Sequence, residues 1–478
     1  MDRTSALDSA FLHVEDSHSS LHIASLGIFE GPAPTQAEVV AAIERKLPAV
    51  PRLRQRLRTV PLAAGRPVWA DDPDFHIERH LSRMRVPAPG GEAELREVAG
   101  AVLSEALPRD RPLWQDVVLE GLAEDRWALL TKVHHTMADG IAGTDLLATI
   151  LDRAPDQHLE QDPDQGSGED EDWAPARPPT PGRLVADAVW EQALLRSREL
   201  RGLPRAVGAT LRHPVAAARS ASTIGQGVLG FARAVVPTTP SSLVGPLGRD
   251  REFRWTRISL ADALLVRERL GGTVNDVVLA AVTKGFRDLE QARGLGADPN
   301  SVRCLVPVSV RRDSSGTLDN EVSALLLTLP VELEDPRDRF YEVATRTLAL
   351  KESHEAQAGQ WALSVADALP PPAVAGFLHL AFRVPHRNLT TVVTNVPGPR
   401  TTLYLAGRRM IATYPYVPIA DRLRIGVAVT SYGEHLFFGV TTDRDSTPDA
   451  DVLVDGLQSG FADLLAVASS RRPRKESR

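Results

Sequence analysis

Residues 134–140 read "HHTMADG" and follow directly on the apolar-rich stretch "WALLTKV" at 127–133. A strand-like segment thus runs into a turn that holds two adjacent histidines, an aspartate and a glycine. In extended chain, side chains alternate, so Trp127, Leu129, Thr131, Val133 and His135 share one face and His134 takes the other. Two imidazoles on opposite faces cannot both serve one metal ion or one substrate. A zinc site would need further His, Cys or carboxylate ligands at workable spacing, and none accompanies the pair, so no metal is expected. One imidazole is left to face a site and one to serve structure. Asp139, in the turn before a helix expected to start near Gly140, is placed to cap that helix or to hold a buried cation. Gly140 permits a tight turn or a close backbone approach. A general base needs such a fixed ring, with one nitrogen open to the substrate proton. Spacing alone leaves both the catalytic and the structural reading standing.

Composition narrows the alternatives. The 478 residues are 43% hydrophobic and 24% charged, which is globular rather than disordered composition, and the length suggests two domains or one large pseudo-repeat. A net charge of −7 and no dominant basic stripe argue against a nucleic-acid partner. The single cysteine, Cys304 in "RCLVPVSV", excludes an internal disulfide framework and reads as a small buried hydrophobe. The opening "MDRTSALDSAFLHVEDSHSS" lacks the basic start and apolar stretch of a signal peptide. No apolar run reaches the ~18 residues of a membrane span. A soluble, cytoplasmic chain is expected.

Residues 156–182, "DQHLEQDPDQGSGEDEDWAPARPPTPG", crowd acids with Pro, Gly and Ser and read as a linker. They divide the chain into an N-terminal half, 1–155, and a C-terminal half, 183–470, before a basic tail at 471–478. In the first half, "SLHIASLGIFEG", "RPLWQDVVLEGL" and "RWALLTKV" predict strands. "TQAEVVAAIERKLPAV", with Val39, Ile43 and Leu47 on one side, predicts a helix, as do "EAELREVAGAVLSEAL" and "GIAGTDLLATILDRA". The second half opens with a helical segment over 183–236, with Leu184, Val185, Ala188, Val189 and Leu195 on one stripe. "TVNDVVLAAVTKGFRDLEQA" predicts a helix capped by Thr273, and "RCLVPVSV", "VSALLLTLPVEL", "LTTVVTNVPG", "LRIGVAVTSYG" and "HLFFGVTT" are β-rich. The economical architecture is α/β (α+β): two similar halves, mixed β-sheets flanked by helices, with a tunnel or cleft between them. No GxSxG elbow, polar cysteine or Lys-bearing glycine-rich loop supplies a nucleophile. A catalytic His135 would then act on a bound substrate, with direct transfer between two molecules and no covalent enzyme intermediate.

"HHTMADG" resembles the HHxxxDG signature of CoA-dependent acyltransferases with the chloramphenicol acetyltransferase-like fold, a superfamily that includes the condensation domains of peptide synthetases. Other segments are similar, in the same order, to blocks of the bacterial wax ester synthase/diacylglycerol acyltransferase family: "SALDSAFLHVED", "LHIASLGIFEG", "RPLW", "TVNDVVLAAV", "VPVSVRRD", "EVSALLLTLPV" and "TNVPGPR". The resemblance implies two chloramphenicol acetyltransferase-like halves. It also implies an O-acyltransferase that moves a long-chain acyl group from acyl-CoA to diacylglycerol or a long-chain alcohol. His135 would be the general base, with His134 and Asp139 holding its loop and Gly140 leaving room for the reacting groups. Pro112, Leu113, Trp114, Asn275, Asp276, Thr394 and Asn395 would wall the site. The residues themselves read equally as core (Trp114), helix cap (Asp276) and turn ("NVPGP"). No bound cofactor is implied, since acyl-CoA enters as co-substrate. The implied partners are acyl-CoA and a lipid alcohol, with peripheral contact to a membrane or lipid droplet. Two alternatives remain at this level: acylation of a natural-product hydroxyl or amine on the same fold, and a non-catalytic acyl-CoA or lipid binder.

Overall fold

The structure is a computed structural model that describes residues 2–5, 8–9, 11–12, 15–138, 150–155, 173–191, 193–194, 242–309, 322–352, 389–420 and 422–470. In chain order the first half contains β1 (His22–Glu30), α1 (Gln36–Glu44), β2 (Gln55–Arg58), β3 (Val68–Asp71), β4 (Leu81–Arg85) and α2 (Glu92–Ser104). These are followed by β5 (Trp114–Leu122), β6 (Arg126–His134) and a helix α3, described over His135–Ala138. A helix α4 covers 181–191. The second half contains β7 (Arg251–Ser259), α5 (Leu260–Leu270), α6 (Val274–Ala292), β8 (Arg303–Ser309), β9 (Val322–Thr328) and α7 (Pro336–Glu352). It closes with β10 (Thr391–Val396), β11 (Tyr404–Leu405), β12 (Arg408–Tyr416), β13 (Ile425–Tyr432), β14 (His435–Asp443) and α8 (Ala450–Ser470).

Local chemistry explains the elements that the sequence predicts. Thr35 opens α1 with a capping box to Glu38, and Val39, Ala42 and Ile43 are its buried face. Thr273 does the same for α6 through Asp276, and the helix buries Val277, Ala280 and Ala281 at helical spacing. The expected helix over 140–154 and the tail at 471–478 lie outside the described residues, apart from 150–154.

Among the described residues two six-stranded sheets form, in the orders β11-β12-β1-β6-β5-β4 and β7-β14-β13-β10-β8-β9, beside a two-stranded pair of β2 and β3. Both are mixed: β4 runs parallel to β5, and β10 runs parallel to β8 and β13, among otherwise antiparallel neighbours. The mixed α/β fold in two sheet-bearing halves is as expected. The linear division of the chain is not. Strands β11 and β12, from the span assigned to the C-terminal half, pair in the first sheet, where Leu26 lies opposite Tyr414. Part of the expected linker also packs on the first half. Arg54 lies 4.3 Å from the centre of the Trp173 ring, and the Ala176 N–H donates to Asp71 at 3.0 Å. In α4, Leu184 and Ala188 pack on Val60 and Val68 of the first half, whereas Val189, expected on the same stripe, is exposed. Val189 sits one residue beyond the buried position 188, about 100° round the helix and off the packed face. Leu195 lies outside the described residues, as does the rest of the helical segment to 236.

Strand β14 shows how the halves meet. Leu436, Phe438 and Val440 enter a core with α5, α6, α7 and α8, while Phe437 enters the core of the first half. On that inner face Gly439 allows contact. A Cβ there would stand 1.8 Å from the Pro415 carbonyl of β12. Tyr414 stacks on Trp255 beside it, at 5.3 Å.

Candidate active site

The paired histidines lie where β6 leaves its sheet. His134 is the last strand residue and is fully buried, opposite His22 in the register of β1. Its N–H donates to the Leu113 carbonyl at 2.9 Å. The next N–H, of His135, makes the following ladder bond to the Leu21 carbonyl at 3.0 Å, and the helical backbone of α3 begins at that residue. His135 is half-buried at the first position of α3. A helix start is expected near Gly140, whereas the described residues are already helical from His135; Asp139 and Gly140 themselves lie outside the described residues.

The tautomer of His134 follows from its neighbours. The Thr136 N–H donates to Nδ1 at 3.2 Å, and the Thr136 hydroxyl lies 2.9 Å from the same nitrogen. The ring proton is then on Nε2, which faces the Glu15 carboxylate at 3.5 Å, an electrostatic contact longer than a hydrogen bond. Glu15 is itself held. It accepts from the Leu21 N–H at 3.0 Å and pairs with Arg109. Burial alone would push its carboxyl up, but the facing His134, Arg109 and the Leu21 N–H together hold it down at about 2. Leu21 therefore ties both histidines to the N-terminal segment, its N–H through Glu15 and its carbonyl through His135. Phe11 completes the setting, its ring centre 4.5 Å from that of His135.

Two further buried groups adjoin this corner. His22 is fully enclosed and stacks on Tyr416 at 5.4 Å; burial, helped by the charge of Lys132, drives its pKa well below the ordinary histidine value. Lys132 shares the His134 face of β6 and is wholly buried. Sequence reasoning missed Glu15, Phe11, His22, Thr136 and Lys132. Thr136 lies within the motif and Lys132 just before it, while Phe11, Glu15 and His22 fall in the family-like blocks "SALDSAFLHVED" and "LHIASLGIFEG", where nothing in the spacing singles them out.

The remaining expected wall residues fall into two sets. Pro112, Leu113 and Trp114 are buried where β5 starts. Trp114 donates Nε1–H to the Leu53 carbonyl at 2.8 Å, stacks on His80 at 4.3 Å, and accepts from His80 Nδ1 through its own carbonyl. That is a satisfied core indole, and Leu113 acts through its carbonyl on His134. The other set joins the start of α6 to the end of β10: Asn395 Nδ2 donates to Asn275 Oδ1 at 3.3 Å. Thr394, next to Asn395, is half-buried. Asp276 is turned into the capping box, its Oδ2 accepting from the Thr273 N–H and hydroxyl, both at 2.8 Å. Cys304 is buried, its thiol pushed up by burial.

Comparison with known proteins agrees along the whole chain. Residues 4–278 match the family model described as the wax ester synthase/diacylglycerol acyltransferase catalytic domain, and residues 318–465 match the corresponding C-terminal domain. A Mycobacterium tuberculosis protein named "Probable diacyglycerol O-acyltransferase tgs1" is 38% identical over 479 residues, covering 99% of this chain and 97% of that protein. Among solved structures, the wax ester synthase/diacylglycerol acyltransferase from Marinobacter aquaeolei VT8 superposes with a TM-score of 0.68 at 23% identity, covering 98% of this chain and 100% of that one. The first condensation domain of the calcium-dependent antibiotic synthetase shares the fold at a TM-score of 0.54 and 16% identity, covering 98% of this chain and 96% of that one. With both domain models matched and a full-length relative at this identity, the chain belongs to the wax ester synthase/diacylglycerol acyltransferase family.

Proposed function

We propose that this protein is an acyl-CoA-dependent O-acyltransferase that esterifies diacylglycerol or a long-chain alcohol, with His135 as general base. The observation that carries the base assignment is the contrast within the histidine pair. His134 is buried with Nδ1 committed to Thr136, whereas His135 is half-buried on a turn fixed through its backbone to Leu21. In this reading the His135 imidazole takes the proton of the acceptor hydroxyl. The alkoxide oxygen attacks the thioester carbonyl, and the tetrahedral intermediate collapses with cleavage of the carbon–sulfur bond. The departing CoA thiolate then takes the proton from the imidazolium. No covalent enzyme intermediate and no resident cofactor are needed, since acyl-CoA is a co-substrate.

In this reading Asp139 and Gly140 support the histidines, and the Asn275–Asn395 amide pair with Thr394 serves as a wall of the site. The lipid acceptor is met at a membrane or droplet surface, and the exposed Val189 and Trp190 of α4 are the contact we assign to it. Incubation with labelled palmitoyl-CoA and either a diacylglycerol or a fatty alcohol, followed by identification of the neutral lipid, tests the reaction. His135→Ala is expected to lower turnover by about 10²–10⁴-fold in folded protein. Undiminished ester formation by that variant would remove His135 from its role.

A further inference from the structure

Lys132 lies wholly inside the protein, two residues before His134 and on the same face of β6. Its ammonium donates to the Val102 carbonyl at 2.7 Å and the Glu105 carbonyl at 2.6 Å. These acceptors belong to the open C-terminal end of α2, whose last turn carries no basic residue of its own. Unpaired carbonyls and the negative end of the helix dipole favour a cation at that place. Burial draws the lysine down to about 8, opposed by the charge of Glu105.

Helix α2 is in turn fixed to the second half. Ser104 Oγ accepts from the Arg251 N–H at 2.8 Å, and a Cβ at Gly100 would stand 2.9 Å from the Arg251 carbonyl. The Arg251 guanidinium lies 3.5 Å from Asp443 and donates to the carbonyl of His18, three residues ahead of Leu21. A circuit therefore closes around the histidines. It runs from β6 through Lys132 to α2, through Ser104 to Arg251, through His18 to Leu21, and through Leu21 back to His135.

We propose that Lys132 is a positioning residue for the histidine pair, its buried ammonium clamping the end of β6 to the helix that meets the second half. Lys132 touches no substrate and acts through α2 and the Arg251 circuit. The proposal rests on His135 being the base, since what Lys132 positions is that ring. A displacement of about 1 Å at a reacting group costs on the order of 10²-fold in rate, which sets the scale of the effect.

Lys132→Met, Ser104→Ala and the double variant, all full-length, test this with palmitoyl-CoA and a fatty alcohol or diacylglycerol at equal amounts of folded protein. Lys132→Met is expected to lower kcat by about 10–100-fold while KM for palmitoyl-CoA stays within about twofold. Hydrogen exchange should be faster at residues 133–136. The two substitutions act along one path, so the double variant should lose less than the product of the single losses. A kcat within about threefold of the wild type, or losses that multiply independently, overturns the proposal. If Lys132→Met does not fold, Ser104→Ala decides alone, and an unchanged kcat with unchanged exchange at 133–136 overturns it. His135→Ala runs alongside. If that variant stays active the base assignment fails, while the exchange comparison still decides whether Lys132 holds the strand.

Discussion

His134 Nε2 faces the Glu15 carboxylate at 3.5 Å, and the same carboxylate accepts the Leu21 N–H and pairs with Arg109. One acid near the N-terminus thus orients the buried member of the histidine pair and anchors the residue whose carbonyl holds the other. Glu15→Ala leaves the Leu21 N–H and the His134 ring without this acceptor. We expect a stability loss of about 1–3 kcal/mol by urea denaturation, with kcat falling more than KM changes. Glu15→Gln keeps an acceptor for Leu21 and should recover most of the stability but less of the rate. Equal recovery of both would mean that charge at Glu15 is irrelevant to His134.

Asp116 predicts a pH dependence. It is fully buried in β5 opposite Thr131, and burial, only partly opposed by the Thr131 hydroxyl, raises its carboxyl to about 7. The unfolded chain ionises near 3.8, so between that pH and about 7 the unfolded state has lost a proton that the folded state keeps. The contribution of this one group is therefore full below about pH 4, falls as pH rises through about 7, and is level above about pH 8, a loss on the order of 4 kcal/mol. Thermal melts of Asp116→Asn should lack this component, so its margin over the wild type widens from about pH 4 to about pH 8. Parallel pH profiles for the two proteins would refute the assignment.

Asp276 and Asn275 sit side by side but are expected to separate experimentally. Asp276→Ala removes the carboxylate that accepts from both Thr273 groups, and should cost about 0.5–2 kcal/mol in denaturant unfolding. Asn275→Ala removes the acceptor of the Asn395 amide, at the proposed wall of the site. It should lower kcat/KM more than it lowers stability. A larger rate effect per folded molecule at Asp276 than at Asn275 would reverse the two roles.

Trp114 is expected to behave as core. Trp114→Ala empties an indole site and orphans the Leu53 carbonyl, for about 3–5 kcal/mol. The check is whether chain-length preference shifts in Trp114→Phe. A core residue should leave the preference among acyl-CoA lengths unchanged, whereas an acyl-channel residue would move it.

Local order was legible without the structure, because helix and strand periods are written into neighbouring residues. The sequence by itself determined α1, α6 and β6 through apolar spacing and caps, and the family through "HHTMADG" and ordered blocks such as "RPLW" and "TNVPGPR". It also separated the two histidines by strand alternation, and the structure places His134 at the end of β6 and His135 at the start of α3. Only the tertiary structure decided that Glu15 faces His134, that Lys132 closes the end of α2, and that β12 crosses into the first sheet. The reason is physical. A buried charge must find its partner wherever packing brings one, and a strand edge pairs with whatever edge the fold presents, so neither choice leaves a periodic mark in the chain.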